Sequence, residues 1–126
     1  MLPRSSGVQK RVPKRKDRVA PPPLPNGWDM RYATNEAIKG WEDLERAAPN
    51  NVRAMWDQLT ANPCAVSDRQ YQLKGRELRE RLIDGVPLPQ WQYKPTSSGR
   101  VWYCVDPKSQ TLWLTLAGAS HPKQTE

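Results

Sequence analysis

Residues 99–106 read GRVWYCVD and residues 111–123 read TLWLTLAGASHPK. Both runs are dense in aromatic, aliphatic and β-branched residues, and DPKSQ (residues 106–110) between them is rich in turn formers. That pattern predicts a β-hairpin with strands over 100–105 and 111–116. Arg100 stands at its entrance, and His121 and Lys123 at its exit. Antiparallel pairing brings the end of the second strand beside the start of the first, so Arg100 and His121 are expected to gather at one sheet edge.

Upstream of the hairpin, QWQYKP (residues 90–95) alternates, with Trp91 and Tyr93 on one face and Gln92 and Lys94 on the other, as in a half-buried strand. TSSG (residues 96–99) is the turn that joins it to the hairpin, so Lys94 and Arg100 flank one turn. YQLKG (residues 71–75) reads as a short extended segment. Residues 76–83 fit a helical turn through Leu78 and Leu82, a strand or an irregular loop, and Gly85, Pro87 and Pro89 punctuate residues 84–89.

WDMRYAT (residues 28–34) alternates as a strand. Thr34 or Asn35 caps a helix whose apolar stripe is Ile38, Trp41, Leu44 and Ala48. Pro49 ends it, Asn50 or Asn51 caps a second helix, and Val52, Met55, Trp56 and Leu59 give that helix one apolar face. The expected fold class is α+β: an N-terminal strand, a two-helix hairpin, then an antiparallel meander of about four strands.

At 126 residues the chain has room for one domain and a tail. Phe is absent, and six Trp and four Tyr supply the aromatic bulk. Residues 1–27 carry proline at 3, 13, 21, 22, 23 and 25 and hold seven Lys/Arg against one Asp. They are expected to form a basic, Pro-rich flexible arm before a domain over 28–126. Lys10, Arg11, Lys14, Arg15, Lys16 and Arg18 of this arm are candidates for RNA or DNA phosphate contacts. Residues 28–68 hold four basic and seven acidic residues, and residues 69–126 nine basic and five acidic, so the domain is dipolar. Cys64 and Cys104, with a single His, do not assemble a zinc site, and both read as small apolar residues. No apolar run approaches the ~20 residues of a membrane helix, and no signal-peptide pattern opens the chain, so a cytoplasmic protein without a membrane partner is expected.

The second half thus offers Lys74, Arg76, Lys94, Arg100, His121 and Lys123 at strand ends. Such residues suit phosphate chemistry. Arginine is a permanently charged bidentate clamp, and histidine, with a reference pKa of ~6.5, moves protons near neutrality. RNA cleavage needs a base for the ribose 2′-hydroxyl, cations for the phosphorane and an acid for the leaving oxygen.

Three motifs in this order carry a resemblance: Leu73-Lys74-Gly75, then Gln92-Tyr93-Lys94 with Gly99-Arg100-Val101-Trp102-Tyr103, then Ala119-Ser120-His121-Pro122-Lys123. Over roughly residues 28–123 the chain resembles the RelE/ParE toxin superfamily of toxin–antitoxin modules, in its RelE-like branch. Its terminal motif has Ser and Pro where the family has Gly and Arg. The resemblance implies a compact antiparallel sheet flanked by two helices, an antitoxin partner and no cofactor or metal. It implies an mRNA endonuclease acting on the ribosome, with mRNA and ribosomal RNA as partners. By matching positions, Arg100, Lys94 and Lys74 would hold the phosphate or stabilise the transition state. His121 would be acid or base, and Arg76 and Lys123 would be added RNA contacts. The alternatives within the fold are a non-catalytic member that binds RNA, the ribosome or a protein, and a ParE-like gyrase inhibitor.

Overall fold

The computed structural model describes residues 12–19 and 21–120. Its elements run β1 (Asp29–Tyr32), α1 (Asn35–Ala47), α2 (Pro49–Ala61), β2 (Gln70–Gln72), β3 (Glu80–Ile83), β4 (Val86–Tyr93), β5 (Arg100–Asp106) and β6 (Thr111–Gly118). The fold is α+β, as the sequence leads one to expect.

Helix α1 starts where Thr34, in extended conformation, accepts a hydrogen bond from the Ala37 amide at 3.0 Å. Its buried stripe is Ala37, Ile38, Trp41 and Leu44. Gly40 lies on the same face, and a Cβ there would stand 1.6 Å from the Ala117 carbonyl oxygen, so only glycine lets α1 approach β6 this closely. Pro49 opens α2, a position where its missing N–H costs nothing, and Val52, Met55, Trp56 and Leu59 are buried. Both stripes pack on Trp91, Tyr93, Val101, Tyr103, Val105, Leu112 and Leu114 of the sheet.

The six-stranded sheet has the order β1-β6-β5-β4-β2, with β3 paired to β4. The expected meander is the antiparallel run β2-β4-β5-β6. Strand β1 adds to β6 in parallel, Asp29 opposite Thr111 and Tyr32 opposite Leu114. The sheet is therefore mixed: the helical hairpin carries the chain to the far edge, and the meander returns it running in the direction of β1.

Residues 76–83, left open by the sequence, end in strand β3, which turns into β4 through Asp84 and Gly85, both at positive φ (50° and 84°). This is the two-residue hairpin turn favoured by Asp-Gly. β4 changes neighbours near its middle, pairing with β3 over 86–89 and with β2 and β5 over 90–93. The turn reaches across the sheet, because Trp113 of β6 lines one small cleft with residues 81–84. Gln90 Nε2 donates to the Leu78 carbonyl at 2.7 Å, holding the base of this cover. The face of the sheet opposite the helices is accordingly not a solvated face: Gln90 and Gln92 are only 2% and 3% exposed.

Residues 16–19, inside the stretch expected as a flexible arm, lie along β1. The Val19 amide donates to Met30 O at 2.7 Å, and the Tyr32 amide donates to Asp17 O at 2.9 Å. Val19 is 1% exposed and belongs to the core. An unpaired strand edge and a core vacancy of one side chain together account for this docking.

Candidate phosphate-binding site at the β4–β5 turn

Tyr93 of β4 pairs with Val101 of β5, so Lys94 and Arg100 stand on either side of one short turn. Alternation sends Tyr93, Val101 and Tyr103 into the helical core and Gln92, Arg100 and Trp102 to the other face. β2 completes the site. Gln70 turns inward and is 1% exposed, its amide donating to Asn62 O at 2.9 Å and Tyr103 Oη at 3.2 Å. Its neighbours Arg69 and Tyr71 are thereby placed towards the Lys94 side. The Lys94 amide donates to Arg69 O at 2.8 Å, and the Arg69 guanidinium donates to Lys94 O at 2.8 Å.

Asp68, Arg69, Lys94, Thr96, Ser97 and Arg100 line one open cleft of ≈ 250 Å³. Three cations against one carboxylate give it the field of an anion site. Arg100 is buried, 7% exposed, and its Nη1 donates to Ser97 O at 3.1 Å and Gly99 O at 2.7 Å. Part of its donor capacity thus shapes its own turn. The Lys94 ammonium lies 5.2 Å from the centroid of the Tyr71 ring. Tyr71 Oη accepts from Gln92 Nε2 at 2.8 Å, and Gln92 Oε1 accepts from Trp102 Nε1 at 2.8 Å. This chain of contacts fixes the wall between β2 and β5.

Lys74 follows β2 and lines a second, neighbouring cleft of ≈ 560 Å³ with Tyr71, Gln92 and Leu78. Arg76 lies in a separate surface hollow with Gly75, Glu77 and Leu78. The structure therefore brings Lys94 and Arg100 together, sets Lys74 beside them across Tyr71, and leaves Arg76 apart.

The described basic residues before β1, Lys14, Arg15, Lys16 and Arg18, lie at the opposite edge of the sheet order from β2. Arg18 pairs with Asp29 at 2.9 Å and Lys16 with Asp84 at 3.3 Å, while Arg15 lines the small cleft at Trp113. Lys14 forms a local turn in which its amide donates to the Asp17 carboxylate at 2.8 Å. Lys10, Arg11, His121 and Lys123 lie outside the described residues.

Arg69, Tyr71 and Asp68 were not among the residues singled out from sequence. The available signal was the alternation Arg69, Tyr71 against Gln70, Gln72, which begins two residues before the extended segment over 71–75. Cys104 is buried on the covered face, where burial pushes its thiol up to about 12 and Arg81 acts in the opposite direction. Cys64, expected to be a small apolar residue, is exposed. Among the described residues no three His, Cys, Asp or Glu cluster as metal ligands, and no helix is long and apolar enough to cross a membrane.

No protein-family model matches the chain. No curated protein matches it either. Among solved structures, a YoeB/ParE toxin from Agrobacterium tumefaciens is similar in fold, with a TM-score of 0.53 and 19% identity over 74% of this chain and 98% of the other. The likeness is one of fold: this chain and that toxin share the arrangement of two helices against a mixed sheet.

Proposed function

We propose that this chain is the toxin of a toxin–antitoxin module and acts as a RelE-like, metal-independent mRNA endonuclease on the ribosome. The observation that carries the reading is the cleft shared by Arg69, Lys94 and Arg100 at the β4–β5 turn. In the reaction a base takes the ribose 2′-hydroxyl proton, and the 2′-oxygen attacks the adjacent phosphorus. The 5′-oxygen then leaves with a proton, giving a cyclic phosphate and a 5′-hydroxyl. Arg100 and Lys94 hold the charge that builds on the phosphorane oxygens, and Lys74 assists from across Tyr71. His121 is the acid or base of this scheme. Lys10, Arg11, Lys14, Arg15, Lys16, Arg18, Arg76 and Lys123 add longer-range attraction to mRNA and ribosomal RNA. The partner that restrains such a protein is a cognate antitoxin, and its site of action is the cytoplasm.

Two observations favour a second reading, a non-catalytic RNA- or ribosome-binding protein of the same fold. Arg100 spends donors on Ser97 and Gly99, and the β3–β4 hairpin covers much of the adjoining sheet face. Induced expression of wild type, Lys94→Ala and His121→Ala, with primer extension on cellular mRNA, separates the two. Growth arrest with new mRNA ends, relieved by either variant, supports cleavage. Intact mRNA together with co-sedimentation of the protein with ribosomes would establish the second reading and remove the first. A ParE-like activity would instead appear as loss of DNA supercoiling with mRNA intact.

A further inference from the structure

The cleft beside the phosphate site has a different chemistry. It is lined by Tyr71, Val66, Leu73 and Leu78 together with Gln72, Gln92 and Lys74. Val66 is 77% exposed. A concave, largely apolar surface of ≈ 560 Å³ bordered by cations falls in the size range of small-ligand sites. Its apolar walls give a plain phosphate nothing to bind.

The polar groups of the wall are oriented. Gln92 Oε1 is engaged by the Trp102 indole N–H, which fixes the amide so that Nε2 donates to Tyr71 Oη. Having accepted that bond, the Tyr71 hydroxyl keeps its own proton for an acceptor in the cleft, and no described residue takes it. The Lys94 ammonium beside the ring joins this cleft to the Arg69–Arg100 site. An apolar slot with one aromatic wall and one outward hydroxyl donor, flanked by ammonium groups, has the chemistry of a nucleotide: a flat base with carbonyl or ring-nitrogen acceptors, tied to a phosphate.

We propose that this cleft takes one unpaired RNA base against Tyr71, with the adjoining phosphate between Lys74 and Lys94. The inference rests on the RNA reading above and deepens it: Tyr71 selects for single-stranded RNA and sets which nucleotide lies next to Arg100. A protein occupant would want apolar or acidic side chains here instead of a base, and the test distinguishes it.

The test is fluorescence anisotropy of the full chain with a labelled single-stranded RNA and with the same RNA made abasic at successive positions. Removal of one base is expected to weaken binding about tenfold, the scale of a lost aromatic–base stack. Tyr71→Ala should match that loss on intact RNA while leaving the salt dependence unchanged, because no phosphate contact is removed. Tyr71→Phe, which keeps the ring, should retain most of the affinity. Circular dichroism checks that the variants fold, and the abasic series on wild type needs no variant. Equal binding of intact and abasic RNA would overturn the base cleft while leaving the phosphate site standing. Absence of any RNA binding would remove both this proposal and the functional reading beneath it. Unchanged RNA affinity in a folded Tyr71→Ala, with loss of a protein partner instead, would assign the cleft to that partner.

Discussion

The Tyr103 hydroxyl donates to the Pro63 carbonyl at 2.7 Å and accepts from Gln70 Nε2 at 3.2 Å. One buried phenol on the central strand thus ties the sheet to the connection that leaves α2 and enters β2. The orientation of Gln70, and with it the outward placement of Arg69 and Tyr71, depends on that tie.

Tyr103→Phe should therefore do more than remove one bond. It strips a partner from the Pro63 carbonyl and from the Gln70 amide in a dry environment, and a loss of about 2 kcal/mol is expected. Urea denaturation measures it. Under the proposed RNA reading, affinity should fall with it only as far as Arg69 and Tyr71 loosen, so a variant with lower stability and full affinity would show that β2 holds its place without this bond.

Alkali should unfold the protein from a defined direction. Burial raises the pKa of Tyr103 and of Tyr32 above the ordinary 10.0, and for Tyr32 the nearby Glu45, Glu42 and Asp17 add to the shift. Both groups are neutral when protonated, so their contribution to stability is complete below the unfolded-state value of about 10. It is lost as pH rises towards the folded values. Tyrosinate absorbance and far-ultraviolet circular dichroism, followed together, should change in one step for these two residues. Their ionisation with the fold intact would contradict the burial described for them.

The two thiols should differ in reactivity. Cys64 is exposed, whereas Cys104 is buried on the face beneath the β3–β4 hairpin with its thiol pushed up to about 12. A disulfide reagent at neutral pH should titrate one thiol quickly and the second only on unfolding. Two fast thiols would mean that the hairpin opens readily.

Gly40→Ala should be severely destabilising, since its methyl would collide with the Ala117 backbone. A cost of about 3 kcal/mol is expected for overpacking of this kind. The neighbouring exposed position supplies the control, because Lys39→Ala should leave the thermal midpoint nearly unchanged.

The helices were legible because their apolar residues recur with helical period over a dozen positions, bounded by Thr34 and by prolines. The β5–β6 hairpin and the pairing of Lys94 with Arg100 across one turn were legible for a similar reason: alternation and turn residues fix both register and proximity. Strand β3 was not, because a strand with Leu82 65% exposed has no buried face to alternate with. The polar side of β4, which alternation sets opposite Trp91 and Tyr93, is covered by a hairpin that only tertiary structure reveals. β2 is only three residues long, so the alternation of Arg69 and Tyr71 with Gln70 and Gln72 is too brief to mark a strand by itself. Val19 stands alone among charged residues and prolines, and a single apolar residue gives no pattern at all.

The docking of residues 16–19 on β1 has a consequence for the whole sheet. A strand with a bare flank invites another chain to continue the ladder, and β1 is the end strand next to β6. Here the protein finishes that border with its own backbone, through the amides of Lys16, Val19 and Tyr32. The basic stretch is, at this point, a selvedge: cutting it away would shed positive charge and also leave a raw margin on which a second copy could begin to weave.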